Sequence, residues 1–164
     1  MKPRLPNFLE VARGVLESGY GVQLHTRGGS MTPLIRGGCL LQVEQVDLKA
    51  LRFGDIIVYR TGETLVAHRL IGRKGHGRNL RLLTRGDANF RRCREEVKPA
   101  QVLGRVSAVN WRRGVRLRID SGVGRMLSLA LAAAWPIPQG LFLLLSRLKA
   151  GWDCIVQSNA GPRT

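Results

Sequence analysis

Residues 55–71 read DIIVYRTGETLVAHRLI, and this stretch decides the fold class of the chain. It holds two short apolar runs, Asp55–Arg60 and Leu65–Ile71, with several β-branched residues and a glycine between them. Runs of this length and composition, bounded by Gly and Asp, are typical of β-strands. The same pattern continues in both directions, from Val22 to Ile119. We therefore expect an all-β or mostly β domain in this region.

Segments with the composition of strands recur throughout the β region, which spans residues 22–120. They are Val22–Thr26, Leu40–Val46, Asp55–Arg60, Leu65–Ile71, Leu80–Thr84, Gln101–Asn110 and Val115–Ile119. Among them, Arg73–Asn79 is basic and rich in glycine, which predicts a flexible hairpin loop. Ahead of the strands, residues 1–21 carry apolar side chains at helical spacing and then two glycines. This pattern predicts one short amphipathic N-terminal helix.

The C-terminal part, residues 121–164, has a different character. Met126–Leu145 is without a charged residue, and Arg125 and Arg147 flank it. Its length suits a membrane span, but Pro136–Gly140 lies at its centre, where a straight helix would lose backbone hydrogen bonds. We expect an apolar helical segment that is either membrane-associated or a helical hairpin packed on the β domain.

The net charge limits the classes of partner. Lys and Arg total 27 against 11 Asp and Glu, a formal net charge of +16. Such a surplus favours lipid headgroups or nucleic acid as partners, although a solvated basic surface has the same composition. RNA-binding surfaces usually carry aromatic side chains among the basic ones, and aromatics are only 5% of this chain. We therefore expect an anionic membrane surface as partner and no specific nucleic acid.

The cysteines and histidines do not have the spacing of a metal or redox site. They are Cys39, Cys93, Cys154, His25, His68 and His76. No paired C-x-x-C or paired-histidine spacing occurs among them, and the cysteines are odd in number. We expect no metal, no cofactor and no disulfide framework.

The loop Gly28–Pro33, with the sequence GGSMTP, contains a candidate nucleophile, Ser30. Two glycines permit backbone angles that other residues avoid, so the loop can direct the serine hydroxyl and its own N–H towards one point. We expect Gly29, Ser30 and Met31 to form the oxyanion and substrate-binding part of the site. Gly-Gly-Ser is also a common turn composition, so this loop alone does not establish catalysis.

A serine hydroxyl needs a nearby group that accepts its proton, and His68 is the best candidate for that base. Strand alternation places it on the same face as Val66 and Leu70, a setting that can keep the imidazole neutral and oriented. Taken without Ser30, a buried and hydrogen-bonded core histidine would be the simpler reading. Asp87 follows a predicted strand and could hold the imidazole in one tautomer, although turn carboxylates often bond only their own backbone.

Five motifs in a fixed order resemble the signal peptidase I superfamily, which has the S24/S26 peptidase fold. They are Gly29-Ser30-Met31-Thr32-Pro33, Gly54-Asp55-Ile56-Ile57-Val58-Tyr59, Ala67-His68-Arg69, Thr84-Arg85-Gly86-Asp87-Ala88-Asn89 and Val102-Leu103-Gly104-Arg105-Val106. The chain is most similar to the endoplasmic-reticulum and archaeal type, in which histidine replaces the bacterial lysine base. The resemblance implies a β fold like that of the repressor-protease C-terminal domain.

The same resemblance implies the function and the site. It implies a serine endopeptidase that removes a signal or leader peptide from a precursor protein, with Ser30 as nucleophile, His68 as base and Asp87 as supporting acid. Glu95 or Glu96 would take the place of a second acid that the family carries after the Gly-Asp motif. Cleavage is expected after small residues, at the cytoplasmic membrane or, without membrane insertion, in the cytoplasm. The alternative is an inactive module of this fold that uses its basic surface to bind membrane or nucleic acid.

Overall fold

The computed structural model describes residues 5–89, 93–111 and 114–134. These residues form mostly β structure, as predicted, with a helix at each end of the described part. The helices are α1 Leu5–Glu17 and α2 Gly122–Ala134. The strands are β1 Val22–His25, β2 Leu40–Glu44, β3 Ile56–Thr61, β4 Thr64–Lys74, β5 Arg81–Arg85, β6 Glu95–Val97, β7 Val102–Asn110 and β8 Arg116–Arg118.

The strands form one antiparallel sheet in the order β1-β2-β7-β3-β4-β5-β6, with β8 added beside β7. The long strand β4 changes partners along its length. Its whole first half pairs with β3, whereas its pairing with β5 begins only at Arg69. In the described part of the chain, the other edge of Thr64–Ala67 therefore has no strand partner. This open edge forms one wall of the candidate site described below.

Strand β3 lies between two apolar clusters, which explains its continuous apolar sequence. Ile56 and Val58 belong to the cluster that includes α1, β2 and β7, whereas Ile57 and Tyr59 belong to the cluster beside β4 and β5. Because successive strand residues point to opposite faces, a run of four apolar residues serves both clusters. A nearly continuous apolar sequence is typical of a strand that is buried on both faces.

Helix α1 confirms the predicted amphipathic helix. Leu9, Ala12 and Leu16 are buried in the first cluster, at the three- and four-residue spacing of one helix face. The opposite face, including Val11 and Gly14, is exposed. The helix therefore packs on the sheet and shares its core.

All seven predicted strands correspond to strands of the structure, and the differences are local. The predicted loop Arg73–Asn79 is wrong at its start, because β4 continues to Lys74. A short 3-10 helix, Gly77–Asn79, then leads into β5. Strand β6, Glu95–Val97, was not predicted, because three residues with two carboxylates do not have a strand-like sequence pattern.

The apolar C-terminal segment lies partly outside the described residues. Helix α2 contains thirteen described residues, Gly122–Ala134, and the rest of the segment follows them. Within residues 5–89, 93–111 and 114–134, no helix is long and apolar enough to cross a membrane. The predicted bend at Pro136–Gly140 lies beyond the part of the chain that the structure describes.

Candidate active site

Ser30 and His68 meet although 38 residues separate them in the sequence. Ser30 lies in the turn between β1 and β2, and His68 lies in the middle of β4. The hydroxyl Oγ of Ser30 is 3.1 Å from Nε2 of His68, which is hydrogen-bonding distance. Only 4% of His68 is exposed, whereas Ser30 is partly exposed. A buried base and an accessible hydroxyl are thus in direct contact.

The segment after β5 supports the serine turn from behind. The backbone N–H of Ala88 donates to the carbonyl of Ser30 at 2.8 Å. Gly86 lies so close that a Cβ atom built on it would be 2.6 Å from the Ser30 carbonyl oxygen and 3.1 Å from Nε2 of His68. Real Cβ atoms do not approach backbone oxygen so closely, so this position requires glycine. The Gly-Asp-Ala motif therefore packs against both the Ser30 turn and the His68 ring.

A tyrosine hydroxyl occupies the other side of the imidazole. Tyr59 lies in β3, diagonally across the β3–β4 ladder from His68, and only 1% of it is exposed. Its hydroxyl oxygen is 2.9 Å from Nδ1 of His68 and 2.5 Å from Oε2 of Glu95, to which it donates. Thr84 donates to the same oxygen at 3.2 Å. The second ring nitrogen of His68 therefore contacts a phenol that is itself bound to a carboxylate.

Burial controls the electrostatics of His68. Removal of the imidazole from water lowers its pKa below the usual 6.5, and the negative charges of Glu95 and Asp87 partly oppose this decrease. Burial also raises the pKa of Tyr59, and the hydrogen bond to Glu95 raises it further. Near neutral pH the imidazole is therefore uncharged and the phenol keeps its proton.

Asp87 is not hydrogen-bonded to the imidazole in the described residues, and its role as supporting acid stays a prediction. Its two oxygens accept from Nε and Nη2 of Arg69 at 2.8 and 2.6 Å, in a two-pronged ion pair whose members are both buried. Arg69 also donates to the carbonyl of Gly54 at 2.7 Å and to the hydroxyl of Ser128 at 3.1 Å. A buried guanidinium needs a carboxylate partner, and it is the stronger competitor for Asp87. Asp87 thus influences His68 only through its charge.

The two candidates for a second acid differ clearly. Glu95 accepts from Tyr59, and its Oε1 lies 3.6 Å from Nδ1 of His68, with 45% of its side chain exposed. Glu96 points elsewhere and pairs with Lys74 at 2.9 Å on the surface. Because neighbouring strand residues point to opposite faces, only one of the pair can reach the site, and that residue is Glu95.

Tyr59 and Arg69 were not predicted as site residues. Both lie inside quoted motifs, but their roles depend on which strands become neighbours. A buried tyrosine usually has a partner for its hydroxyl, and a buried arginine needs a carboxylate. Those two rules indicate that each residue has a polar partner, and only the fold identifies it.

An apolar groove of about 590 Å³ runs beside Ser30, between β1 and the open edge of β4. Its walls are mostly apolar, with charged side chains from Arg27 and Glu63 among the lining residues. The apolar residues are Phe8, Leu24, Met31, Ile35, Leu41, Val58, Leu65, Val66 and Ala67. His25 also lines the groove, whereas His76 is exposed in the β4–β5 connection.

Of the predicted oxyanion residues, Ser30 and Met31 line this groove. The carbonyl of Gly29 accepts from the N–H of Thr32 at 3.0 Å, which closes the turn. In the described residues, the N–H groups of Ser30 and Met31 have no hydrogen-bond partner. Two backbone donors therefore lie beside the Ser30 hydroxyl without a partner in the described part of the chain.

No group of three or more His, Cys, Asp or Glu side chains in residues 5–89, 93–111 and 114–134 is placed to hold a metal ion. Cys39 is buried and Cys93 is exposed, and both are free thiols. The third cysteine, Cys154, lies outside the described part of the chain.

No protein-family model matches the chain, and no curated protein matches it. The resemblance to the signal peptidase I superfamily therefore stays a prediction, which rests on the five motifs and on the geometry above.

Proposed function

We propose that this protein is a serine endopeptidase that removes a signal or leader peptide from a precursor protein. The observation that carries the proposal is the 3.1 Å contact between Oγ of Ser30 and Nε2 of the buried His68, at the edge of an apolar groove. A nucleophile and a base within hydrogen-bonding distance are the signature of an activated serine. Ser30 is the nucleophile and His68 the general base.

The chemistry follows from these two groups. His68 accepts the hydroxyl proton at Nε2 while Oγ of Ser30 attacks the scissile carbonyl carbon. The oxyanion that forms accepts hydrogen bonds from the N–H groups of Ser30 and Met31. The imidazolium then gives its proton to the leaving amine, which breaks the C–N bond and leaves an acyl ester on Ser30. Water, deprotonated by His68, hydrolyses that ester and restores the hydroxyl.

The groove supports a peptide substrate in extended form. The open edge of Thr64–Ala67 presents backbone groups without a strand partner in the described residues, and β1 borders the opposite side. An extended peptide can add to such an edge as a further strand, with main-chain hydrogen bonds for affinity and pockets for alternate side chains. This mode delivers a backbone carbonyl to Ser30 whatever the sequence around it.

The residue before the cleaved bond is proposed to be small, usually Ala, as the family resemblance implies. Met31 and Ile35 come from the serine turn and line the groove beside the nucleophile, where they leave an apolar surface. A matched peptide series with Ala, Leu or Lys at this position tests the preference. Efficient cleavage after Leu or Lys alone would contradict it.

The activity is tested by co-expressing the protein with candidate secreted precursors and sequencing every new N-terminus. New termini are expected with the wild-type chain and with the surface control His76→Ala, and not with Ser30→Ala or His68→Ala. His25 is unsuitable as a control because it lines the groove. Identical termini in cells that carry Ser30→Ala would contradict the proposal. No new terminus with the wild type, together with binding to anionic lipid or nucleic acid, would instead favour the inactive binding module.

A second observation supports contact with an anionic membrane surface. Val123, Met126 and Leu127 are exposed at helical spacing on α2, and Phe53 is exposed nearby, where its carbonyl accepts from Arg125. Burial of each CH₂ group is worth roughly 0.8 kcal/mol, and a basic residue near an anionic leaflet adds about 1 kcal/mol. The net charge of +16 supplies the basic residues for the attraction to an anionic leaflet.

Flotation with vesicles tests this surface. The protein is expected to float with vesicles that contain anionic lipid and not with neutral ones, and Met126→Ser is expected to weaken flotation. Tyr20→Ser is the control, because Tyr20 is equally exposed but lies beyond the end of α1. Flotation unchanged by Met126→Ser and equal on neutral vesicles would overturn the assignment of this surface.

A further inference from the structure

Proton counting around the Tyr59 hydroxyl determines the tautomer of His68. An ionised carboxylate has only acceptor atoms, so in the 2.5 Å contact the single hydroxyl proton of Tyr59 points to Glu95. With that proton used, the Tyr59 oxygen can only accept from its remaining neighbours. One of these is Thr84, whose hydroxyl donates at 3.2 Å.

The remaining neighbour of this oxygen is Nδ1 of His68, at 2.9 Å. Since the oxygen can only accept there, Nδ1 must carry the proton of the neutral ring. Nε2 then has a free lone pair, and it faces the Ser30 hydroxyl at 3.1 Å. This is the tautomer that a general base requires, because the opposite one would place an N–H against the serine.

We propose that Tyr59 is a positioning residue, which with Glu95 holds His68 in the Nδ1–H tautomer and so makes Nε2 the proton acceptor. This inference rests on the proposed roles of Ser30 and His68. In many serine hydrolases a carboxylate contacts the histidine directly. Here Nδ1 contacts a neutral phenol at 2.9 Å, Oε1 of Glu95 lies further away at 3.6 Å, and Asp87 is bound to Arg69.

Groups from several elements face the imidazole and contribute to its charge balance. Tyr59 lies on β3 and Glu95 on β6, while Asp87 follows β5 and is neutralised by Arg69 of β4. The carboxylate of Glu95 favours the imidazolium, against the effect of burial. Because Oε1 of Glu95 is 3.6 Å from Nδ1, outside hydrogen-bonding distance, Glu95 stabilises the developing positive charge without taking the ring proton.

Nuclear magnetic resonance of protein labelled with ¹⁵N-histidine shows which ring nitrogen of His68 carries the proton, and it needs no substrate. At a pH above the titration of His68, the wild type is expected to show a protonated Nδ1 and an unprotonated Nε2, with the signal assigned by its loss in His68→Gln. Tyr59→Phe removes the acceptor for Nδ1–H and is expected to shift the ring towards the Nε2–H form. A wild-type ring protonated at Nε2, or a Tyr59→Phe ring unchanged from wild type, would overturn the proposal.

Glu95→Gln provides a second variant if Tyr59→Phe does not fold, because the Glu95 side chain is half exposed. An amide can donate to the Tyr59 oxygen, which frees the phenol proton for Nδ1, so a partial shift to the Nε2–H form is expected. Loss of the negative charge should also move the acidic limb of the pH–rate profile to lower pH. Glu96→Gln, on the neighbouring surface residue, is expected to change neither readout. Equal effects of both substitutions would contradict the role of Glu95.

Turnover provides the third readout. Tyr59→Phe is expected to lower kcat by roughly tenfold or more, as part of the roughly 10²- to 10⁴-fold that a general base contributes, with KM little changed. If the spectra show the Nδ1–H tautomer but the wild type cleaves no precursor, the peptidase proposal fails and the structural role of Tyr59 stands. If cleavage occurs and Tyr59→Phe alters neither kcat nor the spectra, the role of Tyr59 fails and the peptidase proposal stands.

Discussion

At the scale of single residues, the site depends on close approaches that leave little space for change. Ser30, His68 and Tyr59 form a continuous hydrogen-bonded series across the turn, β4 and β3. The polar side-chain atoms of the two buried members, His68 and Tyr59, all have hydrogen-bond partners, which is the condition for keeping polar groups in an apolar interior. Substitutions of these three residues are therefore expected to change both the cleavage rate and the free energy of unfolding, which can be measured separately.

The pH dependence of activity follows from the direction of the His68 pKa shift. Only the neutral imidazole accepts the Ser30 proton, and burial lowers its pKa below 6.5. Activity is therefore expected to rise with pH through a value below 6.5 and to be at its plateau near neutrality. Initial rates of peptide cleavage from pH 4 to 9 measure this. A rising limb that is centred in the alkaline range would indicate a lysine base and contradict the assignment of His68.

Gly86→Ala is expected to abolish most activity, because the new Cβ would collide with the Ser30 carbonyl and crowd Nε2 of His68. Gly14→Ala is the matched control, since nothing lies within 4 Å of that position in the exposed face of α1. The control should keep full activity and gain about 0.5–1 kcal/mol in the free energy of unfolding, as alanine is the better helix former. Rates and urea unfolding curves report both effects. Full activity in Gly86→Ala would show that the backing contact is not required.

At the scale of elements, the sequence predicted the helix and seven of the strands because their periodic patterns are local. Leu9, Ala12 and Leu16 already show one helix face, and the apolar run of β3 already suggests burial on both sides. The short strand β6 was missed because Glu95–Val97 becomes a strand only by pairing with β5. The contact between Ser30 and His68 was also predicted, because each residue lies in a recognisable local motif. The partner of Asp87 was not predicted. Arg69 and His68 are neighbours in sequence, and only the fold shows that Asp87 pairs with Arg69.

Arg69 joins β4 to the segment after β5 through its ion pair with Asp87, and to α2 through Ser128. The structural role of this ion pair can be tested by substitution. Asp87→Ala would leave a buried guanidinium without a carboxylate and is expected to reduce the free energy of unfolding by about 3–5 kcal/mol. Glu96→Ala, which breaks the exposed pair with Lys74, should cost less than about 1 kcal/mol. Chemical denaturation of both variants measures the difference. Equal stability of the two would contradict the buried pair.

At the scale of the whole molecule, the buried neutral histidine links stability to pH. The folded-state pKa of His68 is below its value in the unfolded chain, so the unfolded chain takes up this proton first as the pH falls. The corresponding stability is complete above pH 6.5 and is lost as the pH decreases below it. Denaturation at several pH values should show a weaker acid dependence for His68→Gln than for the wild type. Identical slopes would mean that the imidazole is not held neutral by the fold.

Ser30 is proposed to be an activated nucleophile at the edge of a peptide-binding groove. The most direct test is intact-protein mass spectrometry after incubation with a short extended peptide that ends in an electrophilic group after Ala. One adduct is predicted, mapped by proteolysis to Ser30, with formation that slows strongly in His68→Ala and is absent in Ser30→Ala. An unmodified wild-type protein, or an adduct of equal yield in Ser30→Ala, would contradict the assignment of Ser30 as the nucleophile.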